Sequence, residues 1–268
     1  MMKKKTFAVW FTALMAVFTF SSCLNDDYNG EIVGSEAVKV SGGLGFYEFK
    51  TKAGFTLTPI NMEALTMNIT SNYAYIIYSY KQEAVNQETK RVPVTMKGIS
   101  PIYENHAISS MEGIDEHSNA PIRNITTQVS YDSFPVFFWN KTTMFLPITF
   151  FVENLSADKM EAEVKKHTFR IYYDVNDPEN NASNLVLHVR HHVVDPDKNN
   201  NRTNYYTSIF EVDLRYALSQ FKEKFNTDVP ETISIEYKEN YVGSYDETQI
   251  QSKTVQVNYS TLVENQKQ

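Results

Sequence analysis

Apolar and polar residues alternate with a period of two along most of this chain, and that is the pattern of half-buried strands. Ala37-Val38-Lys39-Val40 alternates, then Phe46-Tyr47-Glu48-Phe49-Lys50, then Phe55-Thr56-Leu57-Thr58 after Gly54. Lys52-Ala53-Gly54 reads as a hairpin turn between the last two. Ala74 to Tyr80 forms a strong β run, with Tyr75, Ile77 and Ser79 on one face and Ile76, Tyr78 and Tyr80 on the other. Val92 to Lys97 is a further strand, extended by Ile99 to Tyr103. Five or so short strands in about 70 residues are the load of a small closed barrel.

A second dense stretch begins near residue 129. It runs through Phe134–Trp139, Met144–Val152, His167–Tyr173, Asn184–His192, Thr232–Tyr237 and Thr254–Tyr259, with Asn, Asp and Pro turns between them. Such spacing predicts a β-sandwich. One segment keeps a different period. Leu214, Leu218, Phe221 and Phe225 share a helix face, Asp213 offers an N-cap and Pro230 forbids continuation. The prediction is therefore an all-β chain with an OB-like barrel over 36–105, a linker over 106–128, and a sandwich over 129–262 carrying one helix at about 213–225.

The N-terminus is of another kind. Lys3, Lys4 and Lys5 precede an apolar run from Thr6 to Phe20, followed by Phe20-Ser21-Ser22-Cys23. A permanent membrane helix needs about 20 apolar residues, and this run is shorter. Residues 1–22 read as a cleaved export leader. Cys23, the single cysteine of the 268 residues, reads as the lipid acceptor. Residues 23–35 read as a tether, and its Asp26-Asp27 as a surface-export signal. No disulfide is available to the mature chain.

Charge narrows the partners. Of 25 Lys and Arg, three lie in the leader, so 22 face 32 Asp and Glu and the mature net charge is −10. That surface disfavours nucleic acid, whose binding rests on neutralised phosphates. It also disfavours adsorption to anionic headgroups, which leaves membrane attachment to the lipid on Cys23.

Candidate chemistry is thin. His188, His191 and His192 invite a metal reading, but on a strand His191 faces one way and His188 and His192 the other. His188 and His192 then stand about 13 Å apart with Arg190 between them, so the prediction is a polar outer face. Asp174, Asp177, Asp195 and Asp197 sit in turn-like surroundings, and Asp195-Pro196-Asp197 lacks the glycine and terminal glutamate of a calcium loop. Trp139 is the one tryptophan of the mature chain. No phosphate loop, nucleophile elbow or nucleophilic cysteine occurs. The expectation is no catalytic residue, no metal and no cofactor.

Taken together, the start Ser21-Ser22-Cys23-Leu24-Asn25-Asp26-Asp27, the hairpin Phe46–Pro59, the strand Tyr73–Tyr80, the strand Leu185–His191 and the segment Phe210–Leu214 resemble the NigD-like lipoproteins of Bacteroidetes. The resemblance implies a lipobox leader, an N-terminal OB-like domain and a C-terminal β-sandwich. It implies no family site residues. The expected role is an outer-membrane lipoprotein, surface-displayed, that binds a glycan or envelope protein without catalysis. Two alternatives stand beside it: a structural subunit of an envelope or fimbria-like assembly, and a bacteriocin-associated accessory or immunity factor.

Overall fold

The computed structural model describes residues 30–43, 46–61, 69, 71–107, 118–127, 135–196, 201–241 and 249–260. The leader, Cys23, Asp26 and Asp27 lie outside the described residues. The chain divides into two compact units, one ending at Ile102 and the other starting at Tyr103.

The first unit holds β1 (Glu31–Gly43), β2 (Phe46–Thr51), β3 (Thr56–Pro59), β4 (Tyr73–Lys81) and the part of β5 (Arg91–His106) up to Ile102. Neighbours run β3-β2-β1-β4-β5, and β3 pairs β5 in parallel from Thr56↔Arg91 to Pro59↔Val94. That last pairing closes the barrel, and the order is that of an OB fold. Alternation does the filling. Val38, Phe49, Leu57, Ala74, Ile76, Tyr78, Val92, Val94 and Met96 point inward and form one buried cluster. β1 begins earlier than the sequence suggests, so Glu31–Ser35 pair with β4.

The second unit adds β6 (Ile122–Ile125), β7 (Phe137–Phe138), β8 (Thr143–Val152), β9 (His167–Tyr172), β10 (Asn184–Val193), β11 (Asn204–Asp213), β12 (Thr232–Glu239) and β13 (Gln251–Asn258). Their order is β11-β8-β6-β12-β10-β9, with β7 on β8 and β13 on β12. The short strand β6 lies within the segment 106–128; it meets β12 only at Ile122↔Glu239. At this narrow joint the hydrogen-bonded path folds over on itself. Ring contacts record the two facing layers: Phe150 of β8 lies 5.0 Å from Phe169 of β9, and Phe210 of β11 lies 5.2 Å from Phe169. β10 and β12 run parallel, with β11 and a helix between them in sequence.

Among its described residues this unit has two α-helices: α1 (Ala157–Val164) and α2 (Arg215–Phe225). α2 buries Ala217 and Phe221 and ends on Asn226, whose φ of 52° is left-handed. Leu214 is the N-cap, one residue after the expected Asp213. Asp213 still serves the first turn, because its Oδ1 accepts the N–H of Arg215 at 3.0 Å. α1 goes beyond the single helix expected from sequence. Of its described side chains, Met160 and Val164 pack on the core, too few to set a visible period.

Candidate functional site

The histidine cluster is split by the strand that carries it. His188, Arg190 and His192 share a face of β10, as alternation requires, but His188 and Arg190 are buried. The expected polar outer face is therefore corrected. The cause is the β9–β10 connection, which folds back over the strand: Asn180 Oδ1 accepts the N–H of Val186 at 2.8 Å, and Asp177 Oδ2 meets His188 Nε2 at 2.8 Å. His188 Nδ1 meets Glu236 Oε2 at 3.0 Å. Arg190 donates to that oxygen at 2.5 Å, and Ser252 Oγ donates to Glu236 Oε1.

Both ring nitrogens of His188 thus face carboxylates that can only accept, so the ring is held as an imidazolium. Burial pushes its pKa down, but Glu236 and Asp177 outweigh burial and raise it. Burial pushes Glu236 up, while His188, Ser252 and Arg190 hold it at about 2. Every charge here has its counter-charge inside the protein.

His191 turns the other way, into the core. Its Nδ1 faces the carbonyl of Pro121 at 2.9 Å, so Nδ1 carries the proton. Its Nε2 then accepts from His167 Nδ1 at 2.9 Å. That leaves His167 Nε2 bare, 3.5 Å from Glu163 Oε1. A proton there would suit Glu163. Burial and the Arg202 guanidinium oppose it, and they hold His167 at about 4. Arg202 Nε donates to Glu163 Oε1 at 2.8 Å, and both side chains are almost wholly buried. Burial raises Glu163, but Lys166 and Arg202 hold it at about 2.

Among the other predicted residues, Asp174 Oδ1 accepts the N–H of Asn176, an ordinary turn contact. Asp195 sits at a left-handed φ of 64° and gives its carbonyl to Arg202. Asp197 lies outside the described residues. Trp139 packs against Phe145, ring centroids 6.1 Å apart.

The barrel offers a different kind of site. A pocket of about 350 Å³, counting its open mouth, is lined by Thr51, Ala53, Phe55, Leu57, Tyr78, Tyr80, Val85 and Val92. The turn between β2 and β3 forms one side, with Gly54 at a φ of 84°. The connection after β4 forms the other. Two of the three lining hydroxyls are engaged: Thr51 Oγ1 accepts the N–H of Phe55 at 3.1 Å, and Tyr78 donates its hydroxyl to Glu36 Oε1 at 2.7 Å. Gly34 lets the Tyr78 ring cross β1; a Cβ there would lie 2.9 Å from Cζ. Burial raises Glu36 to about 7, against the lowering effect of the Tyr78 hydrogen bond. Sequence reading missed Glu36 and Tyr78 as a pair. Their shared inward register with Val38 and Ile76 was the available signal once β1 is extended back to Glu31.

Fold and site define an all-β protein in which an OB-like barrel precedes a β-sandwich. No family model matches the chain, and no curated protein matches it. Among solved structures the chain is similar to a candidate lipoprotein from Bacteroides fragilis, at 23% identity and a TM-score of 0.69, covering 85% of this chain and 98% of that one. That likeness shows a shared fold across both units. A protein of unknown function from Bacteroides vulgatus is similar at 9% identity and a TM-score of 0.49, covering 85% of this chain and 91% of that one. A NigD-like immunity protein from Bacteroides caccae is similar at 13% identity and a TM-score of 0.44, covering 86% and 93%.

Proposed function

We propose that this chain is an exported outer-membrane lipoprotein, held by lipid on Cys23, that works as a non-catalytic binding module. The observation that carries the reading is the Ser21-Ser22-Cys23 end of the apolar leader, with the chain's only cysteine at its boundary. The shared fold with a candidate lipoprotein of Bacteroides fragilis supports it. The non-catalytic half of the reading rests on chemistry. Among the described residues, the buried charges of the second unit that form the His188 and Glu163 networks are paired with one another. The barrel is of the OB type, whose exposed strand face and loops take ligands. Asp26 and Asp27 give the proposal its direction: display on the cell surface, where the partner is a glycan or an envelope protein.

Protease shaving of intact cells tests the reading. The wild type is expected to be shaved, the Asp26→Ala/Asp27→Ala variant protected, and Cys23→Ala lost from the membrane fraction. A wild type that resists shaving yet leaves the membrane with Cys23→Ala is a periplasm-facing lipoprotein. A Cys23→Ala variant that stays in the membrane overturns the anchor itself.

A further inference from the structure

The pocket in the barrel lies where the chain enters it. Glu31 and Ile32, the first residues of β1, pair with Lys81 and Tyr80, and Tyr80 is one wall of the pocket. Cys23 stands eight residues before Glu31. Eight extended residues reach at most about 26–29 Å, so a group on Cys23 stays within that distance of the start of β1. Short tethers of this kind present their cargo at high effective concentration.

The lining decides what that cargo can be. Ala53, Phe55, Leu57, Val85 and Val92 offer carbon alone. Thr51 Oγ1 and the Tyr78 hydroxyl are committed to Phe55 and Glu36. A sugar or a headgroup would give up its hydrogen bonds to water here and find few replacements. Hydrocarbon gains by leaving water and loses nothing.

We propose that this pocket seats one acyl chain of the lipid carried on Cys23, an inference that rests on the lipoprotein reading above. The 350 Å³ counts open solvent at the mouth, so the space takes the end of a single chain and not a whole diacylglyceryl group. The acyl chain then has two homes. On a membrane it inserts in the bilayer; away from one, the barrel covers part of it.

The test uses the full lipidated chain from cells fed a fatty acid with a diazirine near its methyl end. The purified protein is diluted below the micelle threshold of its detergent, irradiated, digested and mapped by mass spectrometry. Cross-links from the Cys23 lipid are expected in the peptides that hold Phe55 and Leu57 or Val85 and Val92. Ala53→Trp, which fills the pocket from its exposed rim, is expected to cut that yield at least five-fold with Cys23 labelling unchanged. Val85→Asp is expected to do the same through polarity. Cross-links that fall elsewhere, or that persist in both variants, overturn the proposal. Labelling of the same peptides by free probe in Cys23→Ala, with none from the attached lipid in the wild type, also overturns it and assigns the pocket to a free lipid. A Cys23 that carries no probe at all removes the lipoprotein reading and this inference with it.

Discussion

The two units handle buried polarity in opposite ways. Among the described residues the sandwich encloses several charges and pairs them: His188 lies between Asp177 and Glu236, Arg190 and Ser252 complete Glu236, and Glu163 is shared by Arg202 and Lys166. The barrel encloses a single carboxyl, Glu36, with one neutral partner, and beside it leaves an apolar pocket open. A closed network resists change. A pocket lined mostly by carbon favours hydrocarbon. The contrast gives the sandwich charges a structural role and, in the proposed reading, leaves recognition to the barrel.

The largest effect is expected from breaking a sandwich circuit. Arg202→Met leaves the buried Glu163 carboxylate with Lys166 as its remaining counter-charge, which costs about 3 kcal/mol, the low end for breaking a buried pair. Urea unfolding followed by Trp139 fluorescence reads it cleanly, because the mature chain has no other tryptophan and Trp139 belongs to the second unit. Adding Glu163→Gln is expected to restore part of the loss, since the half-paired buried charge goes. A loss below 1 kcal/mol in Arg202→Met would mean that water reaches Glu163 and the circuit is open.

Acidity is the next lever, and the two histidines pull in opposite directions. His167 is held at about 4 when folded, against an ordinary 6.5. The unfolded chain binds the extra proton between those values, so stability rises with pH across about 4 to 6.5, by up to about 3 kcal/mol. His188 is raised when folded. Its contribution is fully present below 6.5 and is lost as pH climbs through its folded value. His167→Gln is expected to flatten the acid limb of a stability–pH curve, and His188→Gln the alkaline limb. Equal flattening of one limb by both would show that the two networks are a single coupled system.

Much of the fold was legible because alternation is a strong signal. The inward set of β4, Ala74, Ile76 and Tyr78, is what the period of two assigns, and the α2 stripe is apolar at helical spacing. What escaped had local signals pointing elsewhere. His188 and Arg190 look like an outer face until Asp177 folds over them from a segment whose Asp, Asn and Pro residues promise only a turn. Glu163 and Arg202 are 39 residues apart and charged, and nothing local says that a fold will bury both. Glu36 is the first residue of the expected barrel, between the tether over 23–35 and the alternation that starts at Ala37, so its inward register could not be assigned. Closure of the barrel by β3 on β5 was implied by strand count, while the joint at β6 rests on four residues, too short for a pattern to show.

The smallest effect sharpens the same contrast from the barrel side. Glu36 is raised to about 7 by burial, from an ordinary 4.5. The folded barrel therefore binds more protons than the unfolded chain between those values, and its stability falls as pH rises from 4.5 to 7. The full shift would amount to about 3 kcal/mol; Glu36 is only partly shielded from water, so about 1–2 kcal/mol is expected. Glu36→Gln keeps an acceptor for the Tyr78 hydroxyl and removes the charge. It is expected to stabilise the barrel at pH 8 and leave it nearly unchanged at pH 4.5. Tyrosine absorbance and circular dichroism should follow the gain while the Trp139 transition stays in place. A Trp139 midpoint that moves with Glu36→Gln would show that the two units unfold as one, and the division of labour drawn from their polarity would then have no counterpart in their energetics.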